Sequence, residues 1–217
     1  MFNPFTLEGK TIIITGASSG IGRQCAIDCS KMGARVILVA RNEERLKETL
    51  SLMDGKNHIW FSSDLSQISE IEYLANKIRD NAGKIDGLIH AAGIELTKPL
   101  KLMTQQEYIT LFNVNAISAF ELTKQFGNMR SSNQAASFIF IASISSIIAR
   151  NGLSAYAASK GAIVSAMRIF ALELAKRKIR VNCISPGTIL TPMMQKVLAN
   201  MEEKILQLQS NFSPFLY

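Results

Sequence analysis

Cysteine is scarce in this sequence, with three among 217 residues, and three cysteines make no disulfide framework. Cys25 and Cys29 have helical spacing, but no histidine or further cysteine nearby completes a metal site, so no metal is expected. They read as small buried apolar residues of a reducing compartment. No uninterrupted apolar run is long enough to span a bilayer, which speaks against a membrane partner. The start, Met1-Phe2-Asn3-Pro4-Phe5, lacks the charged region and apolar core of a signal peptide. The formal charge is +7, yet the lysines and arginines are scattered, apart from short groups such as Lys176-Arg177-Lys178. No basic stripe carries aromatic platforms, so nucleic acid is not an expected partner. Interdomain linkers and low-complexity segments are missing too. A soluble cytoplasmic protein forming a single domain over 1–217 is the expectation.

The apolar fraction of 47% and charged fraction of 19% are those of a globular chain able to bury a sizeable core. Short apolar, β-branched runs over 11–14, 36–39, 58–61, 87–92, 137–142 and 179–184 read as buried strands. Between them, 23–32, 43–53, 68–81, 104–126 and 154–176 read as helices, and 195–209 as one more. Thr104 and Glu107 have the spacing of a capping box, and Ser154 is a candidate cap. Strands and helices that alternate in this way predict an α/β fold: a doubly wound parallel sheet with right-handed crossovers.

The first run passes directly into Gly16-Ala17-Ser18-Ser19-Gly20-Ile21-Gly22. Glycines at a strand-to-helix turn let the backbone approach a phosphate, and the free N–H groups of the helix then face it. The spacing is G-x-x-x-G-x-G rather than the common dinucleotide form, but its place after the first strand points to a nucleotide site. A Rossmann-like sheet with strand order 3-2-1-4-5-6 goes with such a turn. The second strand ends at Ala40-Arg41. An acid there would hold a ribose 2′-hydroxyl, whereas an arginine accommodates a 2′-phosphate, so NADP(H) is favoured over NAD(H). The bland alternative makes Arg41 a solvated loop residue. Asp64 and Leu65, after the third strand, sit where a side chain reaches an adenine.

Tyr156 and Lys160 are four residues apart, on one face of a helix. A tyrosine is a poor acid, with a free pKa of about 10, and an adjacent ammonium is expected to lower it. Such a pair exchanges protons with a carbonyl or an alcohol. By itself it also fits an ordinary helix with one tyrosine and one surface lysine.

Taken in order, these residues resemble the short-chain dehydrogenase/reductases, from about Leu7 to Met194. Thr15 to Gly22 matches the family's TGxxxGxG turn, and Asn115 its helix asparagine. Ser143 precedes Tyr156 by the family's thirteen residues, and Tyr156-Ala157-Ala158-Ser159-Lys160 matches YxxSK. Arg180 to Gly187 matches the strand and turn bordering the nicotinamide. The resemblance implies Tyr156 as general acid or base, and Lys160 as the group that lowers its pKa and holds the nicotinamide ribose. It implies Ser143 on the substrate carbonyl and Asn115 on a relay water. Gly16, Ser18, Ser19, Gly20, Ile21, Gly22, Ala92 and Gly93 would line the cofactor, with Pro186, Gly187, Ile189 and Thr191 at its carboxamide end. Ser145 and Ser146 compete for the serine role. Homodimers or homotetramers are usual in the family.

There are two departures. His90-Ala91-Ala92-Gly93 stands where the family commonly has Asn-Asn-Ala-Gly, so Ala91 lacks a bracing amide and His90 reads as a packed or adenine-side residue. The end at Tyr217 leaves a seventh strand expected to be absent, with the sixth strand as an exposed edge. The leading expectation is an NADPH-dependent reductase similar to 3-oxoacyl-carrier-protein reductases, with a small-molecule or acyl-carrier carbonyl as substrate. The alternative is a non-catalytic nucleotide-binding or assembly protein on the same fold.

Overall fold

The computed structural model describes residues 4–195 and 197–199. They fall into two compact units, divided between Gly187 and Thr188. The first unit holds β1 (Thr11–Thr15), α1 (Gly20–Lys31), β2 (Arg35–Ala40), α2 (Glu43–Ser51), β3 (Ile59–Ser62), α3 (Ile71–Ala82) and β4 (Ile85–His90). It continues with α4 (Gln105–Phe112), a π-helical turn (Asn113–Ile117), α5 (Ser118–Phe126), β5 (Ser132–Ile141), α6 (Ser154–Glu173) and β6 (Arg180–Ile184). The sheet is parallel throughout, in the order β3-β2-β1-β4-β5-β6. The doubly wound, Rossmann-like expectation is therefore met.

Alternation along the strands divides the core in two. Ile12, Ile14, Val36 and Leu38 pack with Ala26 of α1 and Leu46 of α2. Ile13, Ile37, Leu88, Phe138 and Phe140 face the other way, onto Leu74, Ile78, Leu122, Phe126 and Ile163. Phe138 is fully buried there, and its truncation to alanine would cost about 3–5 kcal/mol. The strands end together on the side that carries the glycine turn, Ala91 and Ser143. In open α/β sheets that carboxyl edge is where ligands bind.

Some boundaries differ from expectation. The long 104–126 helix starts at the expected capping box, with Thr104 accepting from the Glu107 N–H and Glu107 reaching back. It is interrupted by the π turn, which periodicity alone did not reveal. Ser154 is not a cap: the capping position is Leu153, and Ser154 is the first, exposed helical residue. β4 runs over Ile85–His90, so Ala91 and Ala92 belong to the loop beyond it.

In the second unit, a helical segment occupies 192–195 and 197–199. It begins at Pro192, where a missing N–H is harmless, earlier than the expected start at 195. Thr191 caps it, accepting from the Met194 N–H through Oγ1 at 3.3 Å and from the Gln195 N–H through its carbonyl at 2.9 Å. The expected remainder of that helix and the non-helical tail, at 201–217, lie outside the described residues.

Candidate active site

At the glycine turn, the backbone approaches itself too closely for side chains. A Cβ on Gly22 would meet the Gly16 carbonyl oxygen at 2.4 Å, and one on Gly16 would meet the backbone of Ala91 and Ala92 at 2.8 Å. Gly16 and Gly20 also take positive φ, +66° and +55°. Ser19 caps α1 in an extended conformation with no side-chain bond, and the first turn carries no acid. The positive end of the helix is thus not neutralised by its own side chains, and the cradle fits a dinucleotide diphosphate. Arg41 is exposed just past β2. Leu65 is buried in the core, while the Asp64 carboxylate accepts from the Ser66 N–H at 3.0 Å.

Beside this turn lies a buried polar centre. Asn115 is fully buried in the π turn and clamps the loop after β4: its Oδ1 accepts from the Ile94 N–H at 2.8 Å, and its Nδ2 donates to the Ile94 carbonyl at 2.9 Å. Nδ2 also donates to Ser159 Oγ at 3.0 Å, and the Ser159 hydroxyl donates to the Tyr156 carbonyl at 2.7 Å. Lys160, 4% exposed, donates from Nζ to the Ile141 carbonyl at 2.8 Å. A Cβ on Gly93 would stand 3.2 Å from Lys160 Nζ and 3.4 Å from Asn115 Oδ1, so glycine keeps that space open. Ser143 hydrogen-bonds the Tyr156 phenol. The Ser143 carbonyl accepts from the Ser146 hydroxyl at 2.7 Å, and its Oγ accepts from the Ser145 N–H at 3.1 Å. Of the three serines weighed, Ser143 is the partner that acts on the Tyr156 phenol. Pro186 joins the same rim, its carbonyl accepting from the Ile144 N–H at 3.0 Å.

The electrostatics differ from the expectation for Tyr156. Burial raises its pKa above the ordinary tyrosine value, the Ser143 hydrogen bond pulls it down, and the Glu95 carboxylate pushes it up. Lys160 is not the group that sets it. Burial disfavours the ammonium and lowers the Lys160 pKa to about 8, with a small opposing pull from Cys183. Nζ stands 5.9 Å from the centre of the Tyr156 ring and is directed at the Ile141 carbonyl. Spacing along the helix brought the two residues to one face but did not fix where the ammonium points.

His90 is the residue least anticipated in detail. It is packed, as expected, edge-on to Phe140 and against polar partners of the site. Thr15 Oγ1 accepts from the Ala92 N–H at 3.1 Å and lies 2.9 Å from His90 Nδ1. On its other side the ring faces the Val114 carbonyl, which can only accept, so Nε2 carries the ring proton and Nδ1 takes the Thr15 hydrogen; Ser118 Oγ is 3.5 Å from Nε2. Burial first, and then the Lys160 charge, lower the His90 pKa to about 3, so the ring is neutral at working pH. Ser159 lies inside the YxxSK match and Thr15 directly ahead of the glycines, and those positions are the sequence signal for their roles. Ile189 and Thr191 belong to the second unit, Ile189 exposed and Thr191 as the cap already described. Among the described residues no cluster of potential ligands could hold a metal ion.

Residues 10–202 match the family described as short chain dehydrogenase. The chain belongs to this family. It is 33% identical over 214 residues to an uncharacterized oxidoreductase, YciK, of Escherichia coli, covering 96% of this chain and 84% of that protein. It is 32% identical over 205 residues to the 3-oxoacyl-[acyl-carrier-protein] reductase FabG of Thermotoga maritima, covering 92% and 82%. Among solved structures, one described as a short chain dehydrogenase of Shigella flexneri complexed with NADP superposes with a TM-score of 0.78 at 33% identity, over 88% of this chain and 82% of that one. This short-chain dehydrogenase is an NAD(P)-dependent oxidoreductase. No helix among its described residues is long and apolar enough to cross a membrane.

Proposed function

We propose that the protein reduces a carbonyl to an alcohol with NADPH, with Tyr156 as general acid. The observation that carries this reading is a half-buried phenol, held protonated by its surroundings, with the Ser143 hydroxyl beside it. The nicotinamide, when bound, supplies the hydride. Ser143 orients the substrate oxygen and stabilises charge developing on it. Tyr156 gives its proton to that oxygen, and in the reverse direction takes it from the alcohol. Lys160 lies under the phenol with a pKa near the working range and replaces the lost proton, besides holding the cofactor ribose. Asn115 fixes the loop through Ile94 and carries the water that links Lys160 to solvent.

The glycine cradle from Gly16 to Gly22 takes the diphosphate, with Ser18, Ser19 and Ile21 lining it. Arg41 meets the 2′-phosphate, and the end of β2 at Ala40 offers no acid to hold a free 2′-hydroxyl. Asp64 and Leu65 border the adenine, Ala92 and Gly93 the ribose side, and Pro186 and Gly187 the carboxamide. Ile144, Ile147 and Ile148 follow Ser143 as an exposed apolar lip, which supports a 3-oxoacyl substrate, small or carrier-bound. We place the enzyme in the cytoplasm as one domain that assembles into homodimers or homotetramers through α4, α5 and α6.

The test is purified protein with NADPH and a panel of 3-oxo esters, sugar and steroid-like ketones. Consumption of NADPH with at least one ketone is expected. No oxidation across the panel by folded, NADPH-binding protein would overturn the proposal.

A further inference from the structure

We propose that His90 is a positioning residue that pins the π turn and so holds Asn115 in place. It acts as a bolt from the first strand, through Thr15, to the Val114 carbonyl. In the π turn, the Ser118 N–H goes to the Asn113 carbonyl, five residues back. The Val114 carbonyl, four residues back, takes the Ser118 hydroxyl instead, at 2.8 Å. It also faces the ring of His90, whose Nε2 lies 3.5 Å from that same hydroxyl. A carbonyl given side-chain partners here stabilises a helix register that adds one residue to the turn. The next residue is Asn115, whose amide bonds Ile94 and Ser159.

The other end of the bolt fixes the ring. The Ala92 N–H donates to Thr15 Oγ1, which lies 2.9 Å from His90 Nδ1. The Val114 carbonyl only accepts, which leaves one neutral tautomer, with the proton on Nε2 and aimed at the π turn, and Nδ1 bare to accept from Thr15. All of these side chains are buried: Thr15, His90, Asn115 and Ser118 are each 0% exposed. In such surroundings an unpaired group is strongly unfavourable, so the chain of bonds holds one arrangement. His90 thereby supplies, across the core, a brace that Ala91 cannot make.

The tautomer is read directly from the nitrogen chemical shifts of the two histidines in wild-type protein, with His58 assigned by its own substitution. A protonated Nε2 and a bare Nδ1 are expected; the reverse tautomer would overturn the proposal. Variants test the consequence. The amide nitrogen of glutamine lies near the position of Nε2, whereas the carbonyl oxygen of asparagine lies near Nδ1. His90→Gln keeps a donor for Val114, while His90→Asn keeps only the partner of Thr15.

Backbone amide exchange over 113–119 is expected to speed up about tenfold or more in His90→Asn and to be largely rescued in His90→Gln, with β1 and β2 unchanged. Ser118→Ala, a milder change in volume, is expected to loosen the same turn. For the kinetic arm, which rests on the reductase reading, ethyl acetoacetate and NADPH serve as probes. kcat is expected to fall about tenfold in His90→Asn, with the NADPH KM within about twofold, and to recover in His90→Gln. Unchanged exchange over 113–119 in both His90→Asn and Ser118→Ala would overturn the proposal. Failure of wild-type protein to turn over ethyl acetoacetate would count against the reductase reading and leave the exchange and tautomer results to decide this one.

Discussion

The glycine turn presents backbone, with no room for side chains at Gly16 or Gly22, while Tyr156 stands among buried polar side chains. The turn is specified by what is missing: no Cβ fits at Gly16 or Gly22, so spacing in the sequence is nearly its whole description. The polar centre is specified by what surrounds it. Tyr156, Lys160, Asn115 and His90 come from α6, the π turn and β4, and the pKa of each titrating group depends on its neighbours in space. A site of backbone can be read along the chain. A site of side chains needs the fold before its chemistry can be stated.

If the two regions are separate in function, substitutions should divide between turnover and binding. The largest expected effect is Tyr156→Phe, which removes the proposed proton donor and lowers turnover by about 10²- to 10⁴-fold in steady-state assays with NADPH. NADPH affinity, measured by fluorescence titration, should stay within about twofold. Gly22→Val is expected to do the opposite. Its side chain meets backbone rather than a movable group, so the NADPH Kd should rise about tenfold or more. Turnover at saturating cofactor should suffer less. Equal losses of both quantities in both variants would erase the distinction.

The next effect concerns pH. Lys160 is charged below its pKa of about 8 and neutral above it. With the ammonium needed to return a proton to Tyr156, kcat for reduction should decline above about pH 8. In single-turnover experiments, Lys160→Met should be slow throughout and lose that limb. A wild-type profile flat to pH 10 would detach Lys160 from the proton path.

The smallest effect is on acid stability. The folded value for His90, about 3, lies below its unfolded value near 6.5. Between these values the unfolded chain binds the additional proton, so stability is lost as pH falls from 6.5 toward 3. Denaturant midpoints of His90→Asn should fall less steeply than wild type over that window. The difference at its acid end should be on the order of a few kcal/mol.

Much of the fold was legible because buried parallel strands announce themselves as short β-branched runs, and the alternation with helices leaves few topologies. The Thr104–Glu107 capping box was equally local and equally visible. The π turn was not, because its register is set by partners such as His90 that lie far away in the chain. Ser143, Tyr156 and Lys160 were legible as a set through their spacing. The effect of Lys160 on Tyr156 was not, because the ammonium turns to the Ile141 carbonyl and burial dominates the phenol. Ser154 failed as a cap for a similar reason: a good capping residue one position inside the helix has no N–H to satisfy in that role.

The central claim is that Tyr156 is kept as a proton donor by its surroundings. Ultraviolet difference titration of tyrosinate, taken as wild type minus Tyr156→Phe, tests it most directly. The expected result is ionisation of Tyr156 above the value of a free tyrosine, about 10. Tyrosinate at Tyr156 appearing below that value, and reverting in Lys160→Met, would contradict the claim and restore the lysine as the group that sets the phenol.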